Sequence, residues 1–584
     1  GRDILKETII ECKKRGLNVV VYFNIWSRWA YDTYPDWRIR DWEGKGMMVE
    51  RGARYGVCCP NSPFRDYVKA QIEDLCSNYE FDGMWIDMIG WIDMVCYCPY
   101  CKKRYYEETG MEIPYTIDWK DKNWVTFQRK REEWMAEFAE MITNTAKEIK
   151  PGISLVHQCA SWLTGWAGGA SYRFFKQSDY LAGDFYSGAL EQSLICKFLN
   201  SVTENRPIEF MTSRCPDLTD HTTLKQKELL EAQVYSSISN NAAFVFIDAI
   251  DPVGTINREV YKLMGNIFKN TKSYEKYLDP SAKQCFDVGI YMDFSSFINF
   301  DDNGKHVKDA SYGTKQIENT YNIAKTLIDY NIPYGVVTAK NLNELEEYQV
   351  IVLSDIVMLD QTEIEALKKF VQNGGSIYAS GRTSLLTKDG STTGDFQLAE
   401  LFGVSYNGET DENITYMAPT ESGQELFTGF SKKYPMMISD TQIKVRVEDG
   451  TNCKPKVLAK LSLPYTNPKD NNRFSSAISN PPGIYTDIPS MVLNRYGRGR
   501  VIYSSGKLEI IKHEAHREVF ANIIKHLFAK PASFETNAYK PVEITLFNQD
   551  ENRRYIINVL NYQKDLPNIP VDGIWVRIFL DGKI

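Results

Sequence analysis

The chain has 584 residues, 43% hydrophobic and 25% charged, the balance of a globular protein too long for one core. A net charge of -8 argues against nucleic acid as a partner, because such a binder presents a basic face. No apolar run reaches the roughly 18 residues of a membrane span, so no membrane partner is expected.

The length points to roughly three to four domains. No signal-peptide pattern opens the sequence. Helix-like RDILKETIIECKKRG directly after Gly1 reads as a trimmed start, so the N-terminus does not give the compartment, and a bacterial cytoplasm and periplasm both stay open. Residues 1–272 then alternate strand-like and helix-like stretches. The expected strands are Asn18–Asn24, Asp82–Asp87, Ile153–His157, Asp179–Asp184, Ile208–Thr212 and Ala243–Asp248. Helical patterns such as Phe64–Asn78 and Phe127–Ile149 lie between them, and this alternation implies a parallel sheet. The expected fold is an α/β TIM-type (β/α)8 barrel whose first two β/α units are missing from this chain. An open doubly wound sheet is the alternative, but no Gly-rich phosphate loop follows any of these strands.

Residues 285–530 read as a flavodoxin-like α/β domain. Its pieces are VGIYMDF, a helix at Ile317–Tyr330, a strand at Val350–Leu353, a helix at Thr362–Asn373, the strand SIYAS, then RGRVIYSSG and a helix at His516–Leu527. A polar insertion from Ser384 to Met491 interrupts it. Residues 532–584 alternate short strands without helix signals and read as a small, incomplete C-terminal β-sandwich.

Each barrel strand can be asked what it delivers at its C-terminal tip, where such barrels keep their chemistry. Asp87 ends the apolar strand GMWID, a place where an unpaired charge costs several kcal/mol. Asp184 ends DYLAGD, beside Tyr186. PIEFMTSRC offers Ser213 and Arg214 at its tip, with Glu209 inside the strand, where it reads as structural. FVFIDAIDP offers Asp248 and Asp251. His157 is either a ligand for a sugar hydroxyl or a satisfied core histidine. Acids at several strand ends, ringed by aromatics, fit glycoside hydrolysis, which needs two carboxylates flanking one bond. Aromatics make up 13% of the chain, and Trp26, Trp29, Trp37, Trp91, Trp162 and Trp166 sit in loop-like stretches suited to stacking on sugar C–H faces. A large protein also buries many aromatics. No G-x-S-x-G or H-E-x-x-H pattern occurs, and six histidines leave little for a His-rich catalytic metal site.

Five of the twelve cysteines fall in two tight groups, Cys58-Cys59 and the C-x-C-x-x-C run Cys96, Cys98, Cys101. Three thiolates there plus one from upstream would make a closed four-sulfur zinc site with no open position for water. Disulfides and free thiols are the alternatives.

The segment CYCPYCKKRYYEETG, with Cys58 or Cys59 upstream, resembles the cysteine module of glycoside hydrolase family 42 β-galactosidases, trimeric barrels whose cluster binds zinc. The resemblance implies Cys59, Cys96, Cys98 and Cys101 as ligands of a structural zinc. YQVIVLSDIVMLDQTEIEALKKFVQNGGSIYAS resembles the trimerisation domain of those enzymes and implies a homo-trimer. The active-site pattern departs from family 42: the fourth barrel strand ends WIDM and the seventh MTSR, in place of the family's Asn-Glu pair and Glu. FDGMWIDM is instead similar to the hypothetical glycosyl hydrolase 6 domain, a group that includes α-L-fucosidases of family 151. Family 29 α-L-fucosidases share a DG-x-W-x-D strand whose aspartate is the nucleophile. That likeness implies Asp87 as nucleophile, and analogy with retaining α-glycosidases implies Asp184 as acid/base. Trp26, Trp85, His157, Tyr186, Arg214 and Asp251 are the expected sugar-pocket residues, and no catalytic cofactor is expected. The implied activity is that of a retaining exo-acting α-L-fucosidase on a glycoside or oligosaccharide. The alternatives are a β-galactosidase-like enzyme with relocated acids and a non-catalytic carbohydrate-binding barrel.

Overall fold

The computed structural model describes the chain except for residues 47–55, 92–93, 160–164, 187, 218–219, 221, 249–252, 312–314, 449–453, 468–469, 477–478, 564–566 and 580–584. Its first unit is built on six parallel strands alternating with helices. β1 (Val20–Asn24), β2 (Gly83–Asp87) and β3 (Ser154–His157) pair in that order, as do β4 (Tyr180–Asp184), β5 (Asn205–Ser213) and β6 (Ala243–Ile247). Two backbone bonds join β3 to β4: Cys159 N–H donates to the Ala182 carbonyl at 3.1 Å, and Asp179 N–H to the Leu155 carbonyl at 2.8 Å. The result is a barrel-type arc. Among the described residues no strand pairs with the outer edge of β1 or of β6.

The local reasons are ordinary. All five residues of β2 are buried, as expected for a parallel strand covered on both faces. The helix Phe64–Asn78 buries Phe64, Val68, Ile72 and Cys76, one side chain per turn. Each large apolar side chain so buried contributes about 1.5–3 kcal/mol. The helix Pro99–Thr109 has Pro99 at its first position and ends on Gly110 in the left-handed region (φ 71°), where glycine carries no penalty.

The second unit is a nine-stranded mixed sheet. Strands Tyr334–Val337, Val288–Tyr291, Val350–Ser354, Ser376–Ser380 and Gly499–Ser504 lie side by side in parallel. The polar insertion is not a loop: Pro482–Tyr496, Lys456–Pro464, Thr415–Pro419 and Met436–Ile438 extend the same sheet in antiparallel fashion. The C-terminal stretch forms two small sheets. Val542–Gln549 pairs with Arg554–Asn561 on one side and with Lys283–Gln284, from the preceding linker, on the other. Phe534–Thr536 pairs with Val576–Ile578.

One buried side chain holds the loop beyond β2 in place. Arg131, on the helix Lys122–Ile149, is 1% exposed. Its guanidinium donates to the carbonyls of Met94 (2.9 Å) and Ala167 (2.8 Å) and to Gln128 Oε1 (2.6 Å). It also lies over the rings of Trp91 and Trp166. Arg131→Met removes those donors and leaves the carbonyls dry and unpaired, so a loss of about 3 kcal/mol is expected in chemical denaturation.

Candidate active site

The inner face of the arc carries a cavity of about 500 Å³. Strand alternation decides who reaches it. On β2, Trp85 and Asp87 face the cavity, and the register pairs Tyr22 of β1 with Trp85. On β4, Tyr180 and Asp184 face it. On β5, Glu209 and Met211 do, Met211 standing opposite Asp184. Val245 and Ile247 of β6 complete an apolar wall. The rings of Tyr22 and Trp85 stack, with centroids 6.0 Å apart and planes 14° apart.

The carboxyl of Asp87 is buried, and this raises its pKa above the ordinary aspartate value. Hydrogen bonds from the Tyr22 hydroxyl and the Met88 backbone pull it back down, and the charge of Asp184 adds a smaller upward push. Met88 itself takes φ 56°, a left-handed conformation that costs a non-glycine residue about 1–3 kcal/mol and turns the chain sharply at the strand tip. Asp184 is held from two sides. Tyr186 donates its hydroxyl to Oδ2 at 2.5 Å, and Gln158 donates its amide to Oδ1 at 2.5 Å. Tyr186 is pushed above the normal tyrosine pKa by burial first and by Asp184 second, so it remains a donor at neutral pH.

Four of the expected residues therefore meet: Asp87, Asp184, Trp85 and Tyr186. Trp26, His157 and Arg214 are not among the residues lining the cavity. His157 pairs with Ile86, whose side chain faces the helix layer, and so points outward. It is 0% exposed, its Nε2 is 2.9 Å from Thr143 Oγ1, and burial pushes its pKa down to about 3. It is a buried core histidine, bonded through Nε2 while its Nδ1 has no hydrogen-bond partner among the described residues. Its neighbour Gln158 is the residue that reaches Asp184. Arg214 lies past the end of β5, 4% exposed, where its Nε donates to Asp248 Oδ1 at 2.7 Å. Two charges buried together stay there by pairing with each other. Trp26 packs half-buried against the barrel core, its N–H donating to Asn24 Oδ1 at 2.8 Å. Asp251 and Trp162 lie outside the described residues.

Sequence reasoning missed Tyr22, Tyr180 and Glu209. Period-two alternation could have found them, since Tyr180 stands four residues before Asp184 and Glu209 two before Met211. Glu209 is not a side-facing structural acid. Its carboxyl lines the cavity, and burial pushes its pKa up to about 7.

A second cluster is made of cysteines. Cys59, Cys96, Cys98 and Cys101 are all buried, with sulfurs within 4.8 Å of one another. Cys59 and Cys101 Sγ are 3.4 Å apart, well beyond the ~2.05 Å of a disulfide. Burial raises the thiol pKa values of Cys59 and Cys101, whereas hydrogen bonds from Cys101, Cys59 and Cys96 push that of Cys98 down. Four soft donors converging on one point, with no carboxylate or imidazole among them, fit a closed metal site. Such an ion would tie the segment at Cys59 to the loop after β2, and none of the four cysteines lines the cavity.

With the geometry in place, the comparisons can be read. Residues 1–88 match the family model described as hypothetical glycosyl hydrolase 6, and residues 287–424 match the beta-galactosidase trimerisation domain. These matches make the chain a glycoside hydrolase-like protein. No curated protein sequence matches it. Among solved structures it is similar to alpha-L-fucosidase isoenzyme 2 from Paenibacillus thiaminolyticus, with a TM-score of 0.75 at 18% identity over 100% of this chain and 84% of that one. It is also similar to the beta-galactosidase from Rahnella sp. R3 (TM-score 0.72, 16% identity, 99% and 90% covered). The beta-galactosidase from Bacillus circulans sp. alkalophilus gives 0.71 at 14% identity, with 94% and 84% covered. At these identities the likeness establishes a shared fold, a barrel-type α/β unit followed by sheet-rich domains.

The Glu209 carboxyl has a testable energetic consequence. A folded-state pKa raised from 4.5 to about 7 means the native state holds more protons than the unfolded state in that window. Wild-type stability should therefore fall as the pH rises from 4.5 towards 7. Glu209→Gln escapes this penalty, so its melting temperature relative to wild type is expected to be higher at pH 8 than at pH 5 in parallel thermal melts.

Proposed function

We propose that this chain is a retaining, exo-acting glycosidase of the α-L-fucosidase type. The observation that carries the reading is that Asp87 and Asp184 share one aromatic-walled cavity while differing in environment. Glycoside hydrolysis by either stereochemical course needs two carboxyls flanking one bond, and the nucleophile role of Asp87 and the retaining course rest on the likeness of its DG-x-W-x-D strand to α-L-fucosidases. Asp87 attacks the anomeric carbon as the bond to the leaving oxygen breaks and Asp184 delivers its proton to that oxygen. Water then attacks the glycosyl-enzyme ester, Asp184 taking the proton back, and Asp87 leaves as a free carboxylate. Tyr22 and the Met88 N–H hold the nucleophile ionised and oriented. Gln158 and Tyr186 orient Asp184, and Trp85 offers a flat face to the sugar. The fold shared with an alpha-L-fucosidase supports the sugar class.

A β-D-galactosidase is the second reading. The trimerisation-domain match and the beta-galactosidase structures of the same fold favour it, and the same domain supports a homo-trimeric assembly. A barrel that binds carbohydrate without cleaving it is the outcome if neither glycoside is turned over. We assign the four-cysteine centre to structural zinc, held by Cys59, Cys96, Cys98 and Cys101, with no part in the chemistry.

Release of nitrophenol from nitrophenyl α-L-fucoside and from nitrophenyl β-D-galactoside decides the sugar. Asp87→Ala is expected to lose about 10³-fold or more in kcat and to regain turnover with azide. Asp184→Ala is expected to lose about 10²–10⁴-fold, least for an activated leaving group. A single Asp87→Ala with undiminished turnover would refute the nucleophile assignment. Elemental analysis of purified protein is expected to find one zinc per chain. Cys98→Ala should lose the zinc and lower the melting temperature; unchanged metal content would remove the four-cysteine assignment.

A further inference from the structure

Glu209 has no part in the mechanism above, yet its carboxyl opens into the same cavity. Among the described residues no hydrogen bond or ion pair reaches it, whereas Asp87 and Asp184 are both held by hydroxyl donors. Its neighbours on the cavity face are Tyr180, Met211 and Val245. A lone carboxyl in such surroundings costs free energy, because nothing replaces the water it gave up. The cost is recovered only if something that enters the cavity pairs with it.

Its depth says what that is. Glu209 pairs with Ala182 across the sheet, and Met211 with Asp184. Glu209 therefore stands one inward-facing step, about 7 Å, from the level of Asp184 towards the N-terminal ends of the strands. The catalytic pair sits at the strand tips and the leaving group must exit past them. A group one layer deeper cannot reach the glycosidic oxygen, but it can reach the far side of the sugar ring. We propose that Glu209 is a specificity-determining residue, whose carboxyl hydrogen-bonds a hydroxyl of the sugar seated in the cavity. This rests on the reading of the cavity as a glycosidase pocket.

The chemistry suits a sugar hydroxyl, which both donates and accepts. With its pKa pushed up to about 7, the carboxyl is neutral under mildly acidic conditions and can do the same. Apart from the Tyr180 phenol, the wall around it is made of Met211, Val245 and Ile247, and so would receive a methyl or ring C–H face better than a hydroxymethyl group. One polar contact among apolar ones makes the missing hydroxyl expensive: a site built to bond it leaves its own buried group unpaired when it is absent.

The test is steady-state kinetics of wild type, Glu209→Gln and Glu209→Leu on nitrophenyl α-L-fucoside and nitrophenyl β-D-galactoside, from pH 5 to pH 8.5. Circular dichroism confirms that each variant is folded. Glu209→Leu is expected to raise KM about 10–100-fold with kcat changed less than about 3-fold, the size of one hydrogen bond from a buried carboxyl. Glu209→Gln keeps a donor and an acceptor and should restore most of the affinity. Its KM should be flat across the pH range where the wild-type KM changes near pH 7. An unchanged KM in Glu209→Leu overturns the proposal while leaving the glycosidase reading intact, as does a loss confined to kcat. Turnover of the galactoside alone removes the fucosidase reading, and the KM split on the galactoside then decides Glu209. If the wild type cleaves neither glycoside, calorimetric titration with L-fucose and D-galactose decides: weaker binding by Glu209→Leu supports the role, and equal or absent binding in both proteins overturns it.

Discussion

The parallel backbone pairing of β2 between β1 and β3 is the constraint on which the cavity depends. Residue-for-residue register with both neighbours sends Trp85 and Asp87 to the inside and Met84 and Ile86 to the helix layer. A slip of one residue would exchange the two sets and bury Asp87 among the helices, so the hydrophobic pattern of the strand specifies the position of the acid. Gly83 belongs to the same logic. A Cβ there would sit 2.5 Å from Ser154 Oγ and 3.1 Å from a Val20 methyl, so the close approach of the three strands requires glycine. The DG-x-W-x-D pattern is thus the local solution to packing a strand tightly on both edges while ending it on a charge.

That arc is not free-standing. Lys197, on the helix Ala189–Val202 of the first unit, pairs with Glu543 of the C-terminal sheet at 2.9 Å, with 2% and 4% of the side chains exposed. The ammonium also bonds Asn240 and Ser193 and lies 4.8 Å from the centre of the Tyr334 ring, in the second unit. All three units meet on this one cation. A buried pair of this kind adds little net stability compared with an apolar contact of the same shape, but losing one partner costs about 3–5 kcal/mol. It therefore acts as a registration device. Elsewhere Arg129 of the first unit reaches the carbonyls of Ser295 and Lys388, and Lys340 of the second reaches those of Val202 and Thr203.

Much of this was legible in the residues alone, for identifiable reasons. The six barrel strands, the cysteine cluster, and Asp87 and Asp184 at strand tips all follow from patterns of a few residues, where local sequence and tertiary structure agree. What failed to show was orientation. His157 sits at a strand tip as Asp87 does, but one register step turns its ring to the helix layer, and only the pairing with Ile86 reveals it. Arg214 pairs with Asp248, which lies just past the end of β6, a partner that no local pattern around Arg214 reveals. The insertion after Ser384 reads as polar and irregular because its strands extend the edge of the sheet and several of their side chains face solvent. Nothing short-range marks it as part of the sheet.

The three cavity carboxyls show how one chemical group is given separate tasks by its surroundings alone. Asp87 is buried but receives a phenol hydroxyl and a backbone N–H, so its charge is partly supported. Asp184 receives a phenol and an amide, one on each oxygen. Glu209 receives no donor among the described residues, and burial raises its pKa to about 7. Burial raises both Asp87 and Glu209, and the donors on Asp87 pull it part of the way back. The donors come from different strands: Tyr22 from β1, Gln158 from the end of β3, Tyr186 from beyond β4. Ionisation in the cavity is therefore a property of the arc as a whole, and a change in any one strand's register would redistribute it before it altered the carboxyls themselves.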